Sequence, residues 1–512
     1  MIQSKVSRTE SVIQNARVAL FFYSVNLILQ FFSRKVFLDH LGAELLGLNT
    51  TAQSLLQFLN LAESGISAAM AFGLYKPLSS GNRQEIINIV SVQGWFYRWI
   101  ALIVIIGALM MMCLFPYFFE KADIPLNYAY GTFLAFLIST LLGYFINYKM
   151  IVLSADQKEY KITIETQGVK AAKVLVQMFC ICNFSYGYVW WMTLEVFAAI
   201  LTSVRLVSCI KKEYPWLVPN IAKGKMLRKQ YEFLLIKIKQ LFFHKLGGYV
   251  SWQVPPLVIY MFTSLSVVAI YGNYLILFGG CFLFMDSIFK GFNAGVGNLV
   301  VEKTKGSIKK VFWQFLTLRF YIAGLLSCGV WVLSDSFVEL WVGDEFIMPA
   351  SPLMLMVVIS FFQMTRVSDP FLSAYGLFQD IWAPIIEATI NVSLSILLGY
   401  YFGLTGILFG VLISQILVIN SWKPYFLYSK GFKEPIFEYA VNYTKKIFLV
   451  LIVSFSVLYC YNGVLSKDPL DYYDWVINAV VFSSLYLVVG SALFFIFDRD
   501  FRLLTKKIFS VL

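Results

Sequence analysis

Charge is scarce in this chain of 512 residues: 14% are Asp, Glu, Lys or Arg, while 59% are hydrophobic. A soluble protein of this length could not cover its surface with so few charges. Histidine is nearly missing. The two present, His40 and His244, lie far apart in sequence, on segments expected at opposite membrane faces, which argues against His-based triads and metal centres. The seven cysteines, Cys113, Cys180, Cys182, Cys209, Cys281, Cys328 and Cys460, fall almost all inside apolar runs. None of their spacings resembles a zinc site or a disulfide framework. No GxxxxGK[ST] loop occurs, so direct ATP hydrolysis is not expected. The alternating segments of about ten residues that build a transmembrane barrel are also missing. The opening "MIQSKVSRTESVIQNAR" is polar and lacks a small-residue cleavage site, so it is not expected to be a removed signal peptide.

What is abundant is apolar sequence in runs of roughly 18 residues or more, each long enough for a helix to cross a bilayer. Fourteen spans are expected, with cores at 18–38, 47–72, 87–116, 126–148, 162–184, 187–209, 246–270, 274–300, 311–334, 350–374, 381–402, 404–427, 446–464 and 475–497. Two pairs are joined by very short turns, "NFSYG" and "FGLTG". The expected fold is therefore an all-α polytopic membrane protein, with two six-helix lobes and two C-terminal helices.

Loop charges orient it. The N-terminus and every second loop carry nearly all the loop lysines and arginines, whereas the opposite loops hold only Lys121 and Lys467 with eleven acids. Both termini are expected in the cytoplasm. The net charge of +12 then reflects topology and contact with anionic lipid, and no nucleic-acid partner is implied. The longest hydrophilic piece, 210–245, reads as a basic amphipathic linker on the inner membrane surface. The expected organisation is an N-terminal lobe over 1–209, this linker, a C-terminal lobe over 246–430, and a last pair of spans with a tail over 431–512. "SAAMAFGLYKPLSSGNRQEI" and "NAGVGNLVVEKTKGSIKKVF" form a weak internal repeat that supports two lobes and sets Glu63 opposite Lys290.

Against this apolar background the intramembrane charges stand out. Each costs at least ~2.5 kcal/mol at a helix centre on insertion scales, so each needs a partner or a wet cavity. Arg34, Lys35, Glu63, Arg98, Glu165, Lys170, Lys173, Glu195, Arg205, Asp286, Lys290, Arg319, Arg366, Asp369 and Glu387 all fall in expected spans. Several have plain structural readings. Arg205, Arg34 and Lys35 can snorkel to an interface. Arg366 with Asp369, and Asp286 with Lys290, can pair along one helix face. Thr166, Lys170, Lys173 and Gln177 share one stripe, where two lysines repel each other unless a wet cavity or an anion stabilises them. The cations Arg34, Lys35, Arg98, Lys170, Lys173, Lys290, Arg319 and Arg366 are the candidates for holding an anionic substrate such as a phosphate or pyrophosphate headgroup. Glu63, Asp286 and Glu387 are the candidates for ion coupling. Glu63 is the first of them, unless Arg98 or Lys290 pairs with it permanently.

Four stretches carry a family resemblance. "FLDHLGAELLGLNTTAQSLLQFLNLAESGISAAMAFGLYKP" resembles the first two spans of O-antigen-type polysaccharide flippases, and "GLFQDIWAPIIEATINVSLSILLGYYFGLTGILFGVLISQILVINSWKPYFLY" resembles spans ten to twelve. "LWVGDEF" and "AGVGNLVVE" fit the same pattern. These flippases belong to the multidrug, oligosaccharidyl-lipid and polysaccharide exporter superfamily. The resemblance implies two six-helix bundles around a central cavity. It also implies transport of undecaprenyl-pyrophosphate-linked oligosaccharide across the bacterial inner membrane by alternating access. It implies no cofactor, coupling to a proton or sodium gradient, and other polysaccharide-assembly proteins as partners. Glu63 and Glu387 lie in the matching segments and Arg34 stands three residues before the first of them, whereas the span-five lysines, Asp286 and Lys290 rest on position alone. The alternatives are a small-cation drug exporter of the same superfamily and a membrane polysaccharide polymerase or glycosyltransferase. The enzyme would want a large outer loop, which the chain lacks. "DRD", Asp498 to Asp500, matches a minimal metal-binding pattern but reads as the flank of the last span.

Overall fold

A computed structural model describes residues 8–509, apart from 64, 303–304, 378, 381 and 465–468. The chain divides into two compact units, 1–269 and 270–512. The first contains α1 (Arg8–Asn60), α2 (Ile66–Ser80), α3 (Arg83–Phe118), α4 (Leu126–Phe145), α5 (Glu159–Asn183), α6 (Gly187–Glu213), α7 (Glu232–Gln253) and α8 (Pro255–Phe262). Helix α9 (Leu265–Glu302) leads into the second unit. There follow α10 (Lys305–Val342), α11 (Ala350–Ala374), α12 (Trp382–Phe432), α13 (Phe437–Val464), α14 (Tyr472–Phe497) and α15 (Arg499–Phe509).

Ten helical stretches among the described residues are long and apolar enough to cross a membrane. Two of them are double. The membrane stretch of α1, Gln14–Asn60, counts 47 residues, which at ~1.5 Å per residue is about twice the thickness of a bilayer core. The chain turns at Gly42, whose φ of 80° is open to a residue without a Cβ. Likewise α12 counts 51 residues and turns at Gly403. Its two arms press closely together: a Cβ on Gly406 or Gly410 would overlap the backbone of Leu398 or Ser395. Helix α5 has the length of a span but is too rich in charge to meet the same measure of apolarity. The α7–α8 pair is broken at Val254, ahead of Pro255 and Pro256. Separating the doubles and adding these two gives fourteen span-length segments among the described residues.

The first unit closes around aromatic and small side chains. The Tyr188 ring stacks on Trp191 at 5.7 Å, and its hydroxyl contacts Thr132 and Asn49 at 2.5 and 2.8 Å. The segment 246–269 packs with this unit. Tyr260 meets the rings of Phe118 and Phe119, and Ser266 donates to Glu44 at 2.7 Å. In the second unit a continuous core joins α10, α11, α12, α13 and α14 through Phe312, Phe320, Phe371, Tyr428, Val453, Phe482 and Tyr486. At its edge the short basic helix α15 turns its Phe501 onto Tyr321 and Phe494. The linker expected over 210–245 comprises the end of α6, a short turn of helix at Ile221–Leu227, and most of α7.

Candidate functional site

Both units contain a membrane span whose helix is interrupted, and each interruption carries charge. In the first unit the second span breaks between α1 and α2. Leu61–Glu63 tighten into a 3-10 turn, and Gly65 stands at φ 96° before α2 resumes. Such a break leaves backbone groups outside the helical ladder, which hydrocarbon tolerates only beside protein or water. The small residues after Glu63 thus include the glycine that makes the turn.

Glu63 is half-buried at this break. Tyr97 of α3 donates to its Oε1 at 2.7 Å, and Ser67, at the start of α2, donates at 3.3 Å. The Ser67 and Tyr97 hydroxyls are themselves 2.7 Å apart. Tyr144 of α4 stacks on Tyr97 with ring centroids 5.5 Å apart and donates to Asn60 Oδ1 at 2.9 Å. Four helices and the 3-10 turn between the first two therefore supply a carboxylate, two aromatic hydroxyls, a serine and an amide. No basic side chain ion-pairs with Glu63 among the described residues, and Arg98, one position past Tyr97, is exposed. The permanent Arg98 partner weighed from the sequence is not formed.

The span-five stripe has a partner the sequence reading did not see. Lys173 forms an ion pair with Glu195 of α6 at 2.5 Å, and Gln177 donates to the same carboxylate and to the Trp191 carbonyl, both at 3.1 Å. Lys170 is exposed and makes no ion pair among the described residues. Glu165 holds Arg205 at 2.5 Å. On α1, Arg34 donates to the Ala269 carbonyl at 2.9 Å, and Lys35 lies 3.6 Å from Asp39.

In the second unit α11 is interrupted over Thr365–Val367. Arg319 of α10, only 7% exposed, uses this gap: its Nη1 donates to the carbonyls of Met364, at 3.2 Å, and of Arg366. Its guanidinium also lies over the Phe289 and Phe315 rings at 4.7 and 5.3 Å. Arg366 pairs with Asp369 at 2.7 Å, and Lys423 of α12 reaches the other oxygen of Asp369 at 2.6 Å. Lys423 sits where α12 passes through π-helical turns. Glu387 is buried in α12, and its charge acts on Arg366. Asp286 is exposed on α9, and the side chain of Lys290 lies outside the described residues.

The "DRD" pair has a structural task. Asp498 and Asp500 both hold Lys446 of α13, at 2.5 and 3.3 Å, and Lys446 also donates to Thr317. Asp498 further accepts from the Phe501 amide at 2.9 Å and so caps α15. Its carboxylate is committed to a lysine and a helix start. Thr317, Tyr97 and Tyr144 escaped the sequence reading, and Lys423 and Lys446 read there as cytoplasmic loop lysines; the structure buries Lys446 at the start of an apolar run.

Neither a protein-family model nor a curated protein sequence matches this chain. Solved structures do. The lipid II flippase MurJ, in its inward closed conformation, is similar with a TM-score of 0.65 and 16% identity, over 94% of this chain and 99% of that one. An inward-facing multidrug resistance MATE family transporter of the MOP superfamily is similar with a TM-score of 0.60 and 11% identity, over 80% of this chain and 97% of its own. MATE in its bent conformation gives 0.51 and 12%, over 82% and 95%. At these identities the likeness shows the fold alone: an all-α polytopic membrane protein with the architecture of these solved structures.

Proposed function

We propose that this protein is an alternating-access transporter that flips an oligosaccharide, linked through pyrophosphate to a polyprenyl lipid, across the bacterial cytoplasmic membrane. The observation that carries the reading is coverage. The lipid II flippase corresponds to 94% of the chain and the multidrug exporter to 80%, so part of the chain has a counterpart in the flippase alone of the two. The flippase's substrate is a lipid, and the resemblance of the first two spans and of spans ten to twelve points the same way.

The pyrophosphate headgroup needs cations that are not already neutralised. Lys173, Arg319 and Arg366 are engaged by Glu195, by the α11 carbonyls and by Asp369. Arg98 and Lys170, both exposed, make no such pairs among the described residues and take the larger share of the headgroup. Arg34, Lys35 and Lys290 complete the candidate set. Flipping against a gradient needs energy, and Glu63 supplies the coupling group. Its carboxylate, held by hydroxyls and an adjacent helix break, suits a proton or a hard cation such as sodium. Both termini face the cytoplasm in this reading.

A second reading, export of a small organic cation, is favoured by the same site, since a carboxylate beside stacked Tyr97 and Tyr144 would hold a cation. Full-length protein in sealed vesicles separates the two. Lipid-linked oligosaccharide added to one leaflet should become accessible to an impermeant lectin on the other side, while ethidium efflux stays at the level of empty vesicles. Ethidium transport without oligosaccharide flipping would reverse the choice. The double change Arg98→Ala with Lys170→Ala should abolish flipping and leave the protein folded.

A further inference from the structure

Helices α5 and α6 leave a largely apolar groove between them, with Lys173 and Arg205 the charged residues in its lining. Ile164, Leu175, Val176 and Phe179 are exposed on α5, roughly opposite the stripe of Thr166, Lys170, Lys173 and Gln177 on a helix of ~3.6 residues per turn. The neighbouring face of α6 exposes Phe197, Ile200, Leu201 and Val204. Exposed apolar stripes of this length on membrane-spanning helices face acyl chains. Between them lies a cavity of about 430 Å³, whose lining includes the small residues Gly168, Ala172 and Ala198 and the apolar Ile164, Val176 and Leu201. It continues, through Ile164 and Arg205, into a second cavity of about 430 Å³.

That second cavity is polar and cationic. Its charged lining is three basic residues, Lys161, Arg205 and Lys212, against two acidic, Glu165 and Glu213. Glu213 is occupied by Lys158 and Lys161. Glu165 is occupied by Arg205, through Nε alone. The two Nη groups of Arg205 have no acceptor among the described residues, and Lys212, exposed at the end of α6, has no ion pair. A planar guanidinium with its fork open, next to an ammonium and at the mouth of an apolar groove, matches a phosphate diester joined to a hydrocarbon chain.

We propose that the α5–α6 groove binds a glycerophospholipid of the surrounding bilayer. One acyl chain lies over Gly168, Ala172 and Ala198, and the anionic headgroup is held by Arg205 Nη and Lys212. The site differs from the substrate path proposed above: Gly168 and Ala172 lie on the side of α5 opposite Lys170, and Lys173, which lines the groove, is neutralised by Glu195. A lipid wedged here would fasten α5 to α6 where Lys173 and Glu195 meet.

Full-length protein in phosphatidylcholine vesicles carrying trace spin-labelled lipid tests this. Spin-labelled phosphatidylglycerol should show a motionally restricted component, bound more tightly than spin-labelled phosphatidylcholine. Arg205→Gln and Lys212→Gln should each weaken the phosphatidylglycerol preference about fivefold. Arg205→Lys should keep most of it. Ala172→Trp, at an exposed position, fills the groove and should remove the restricted component without lowering the melting temperature. Equal restriction of the two lipids by the unaltered protein would overturn the proposal. So would an undiminished preference in the Arg205→Gln, Lys212→Gln double variant, or displacement of bound phosphatidylglycerol by a polyprenyl phosphate, which would make the groove a substrate-tail site. Because the readout is lipid binding and not flipping, its failure leaves the transport reading standing.

Discussion

Tyr97 and Glu63, thirty-four positions apart, are joined by a 2.7 Å hydrogen bond from the phenol to the carboxylate, at the point where the second span loses its helix. The carboxylate is thereby held by neutral donors. Glu165, Glu195 and Asp369 differ, since each sits in an ion pair. An ion-paired carboxylate needs its partner removed before it can take up a coupling ion. One held by hydroxyls exchanges a proton or a cation without leaving a buried charge uncompensated.

The break itself should be sensitive to glycine loss. Gly65 stands at φ 96°, a conformation L residues avoid. Gly65→Ala should destabilise the protein by about 1–2 kcal/mol, read as a lowered melting temperature in detergent. Ala68→Gly, three residues on in the helix, is the control and should cost about 1 kcal/mol or less.

Lys446 is 4% exposed, and its ammonium is held by Asp498, Asp500 and Thr317. Asp498→Ala takes away the nearer carboxylate and leaves the buried ammonium with Asp500 at 3.3 Å, so it should cost up to about 3–5 kcal/mol. The double variant Lys446→Met with Asp498→Ala should recover a good part of that loss. A thermal-unfolding double-mutant cycle measures the coupling.

Lys158, at the start of α5, gives a pH prediction. Burial alone would lower its pKa, but hydrogen bonds and charge from Asp156 and Glu213 outweigh burial and raise it above its ordinary value of 10.5. A raised folded-state pKa means the folded protein keeps the proton longer than the unfolded chain. The stabilisation is therefore complete below pH 10.5 and is lost as pH rises through the folded value. The melting-temperature difference between the unaltered protein and Lys158→Met should be constant from pH 8 to about 10 and shrink above that.

Much of the fold was legible because bilayer thickness imposes a length on every crossing. The short "FGLTG" turn appears as the Gly403 reversal inside α12, and "NFSYG" as the turn at Tyr186 between α5 and α6. The pairing of charges was less legible. Lys170 and Lys173 share a stripe, and the stripe alone implied mutual repulsion. Glu195, on the next helix, neutralises Lys173, and no local periodicity records which residue of a neighbouring helix faces a given lysine. Tyr97 read as one aromatic among many for the same reason. The break in α11 likewise has no glycine or proline within Thr365–Val367 to announce it, and Arg319 fills it from another helix.

The orientation rests on loop charge and has its own test. Cysteine placed at Lys225 should react with a membrane-impermeant maleimide only in inside-out vesicles, and cysteine placed at Asp471 only from the outer side. The opposite pattern at Asp471 would invert the topology.

The most direct test of ion-coupled flipping is the response of Glu63→Gln to an imposed gradient. The substitution keeps the side-chain shape and removes the switchable charge. In sealed vesicles, the unaltered protein should expose lipid-linked oligosaccharide to an external lectin faster when a proton or sodium gradient is applied. Glu63→Gln should bind the lipid-linked oligosaccharide with unchanged affinity and flip it at a rate indifferent to either gradient. A Glu63→Gln protein that accelerates under the gradient as the unaltered one does would contradict the account and leave Glu63 as a structural partner of Tyr97.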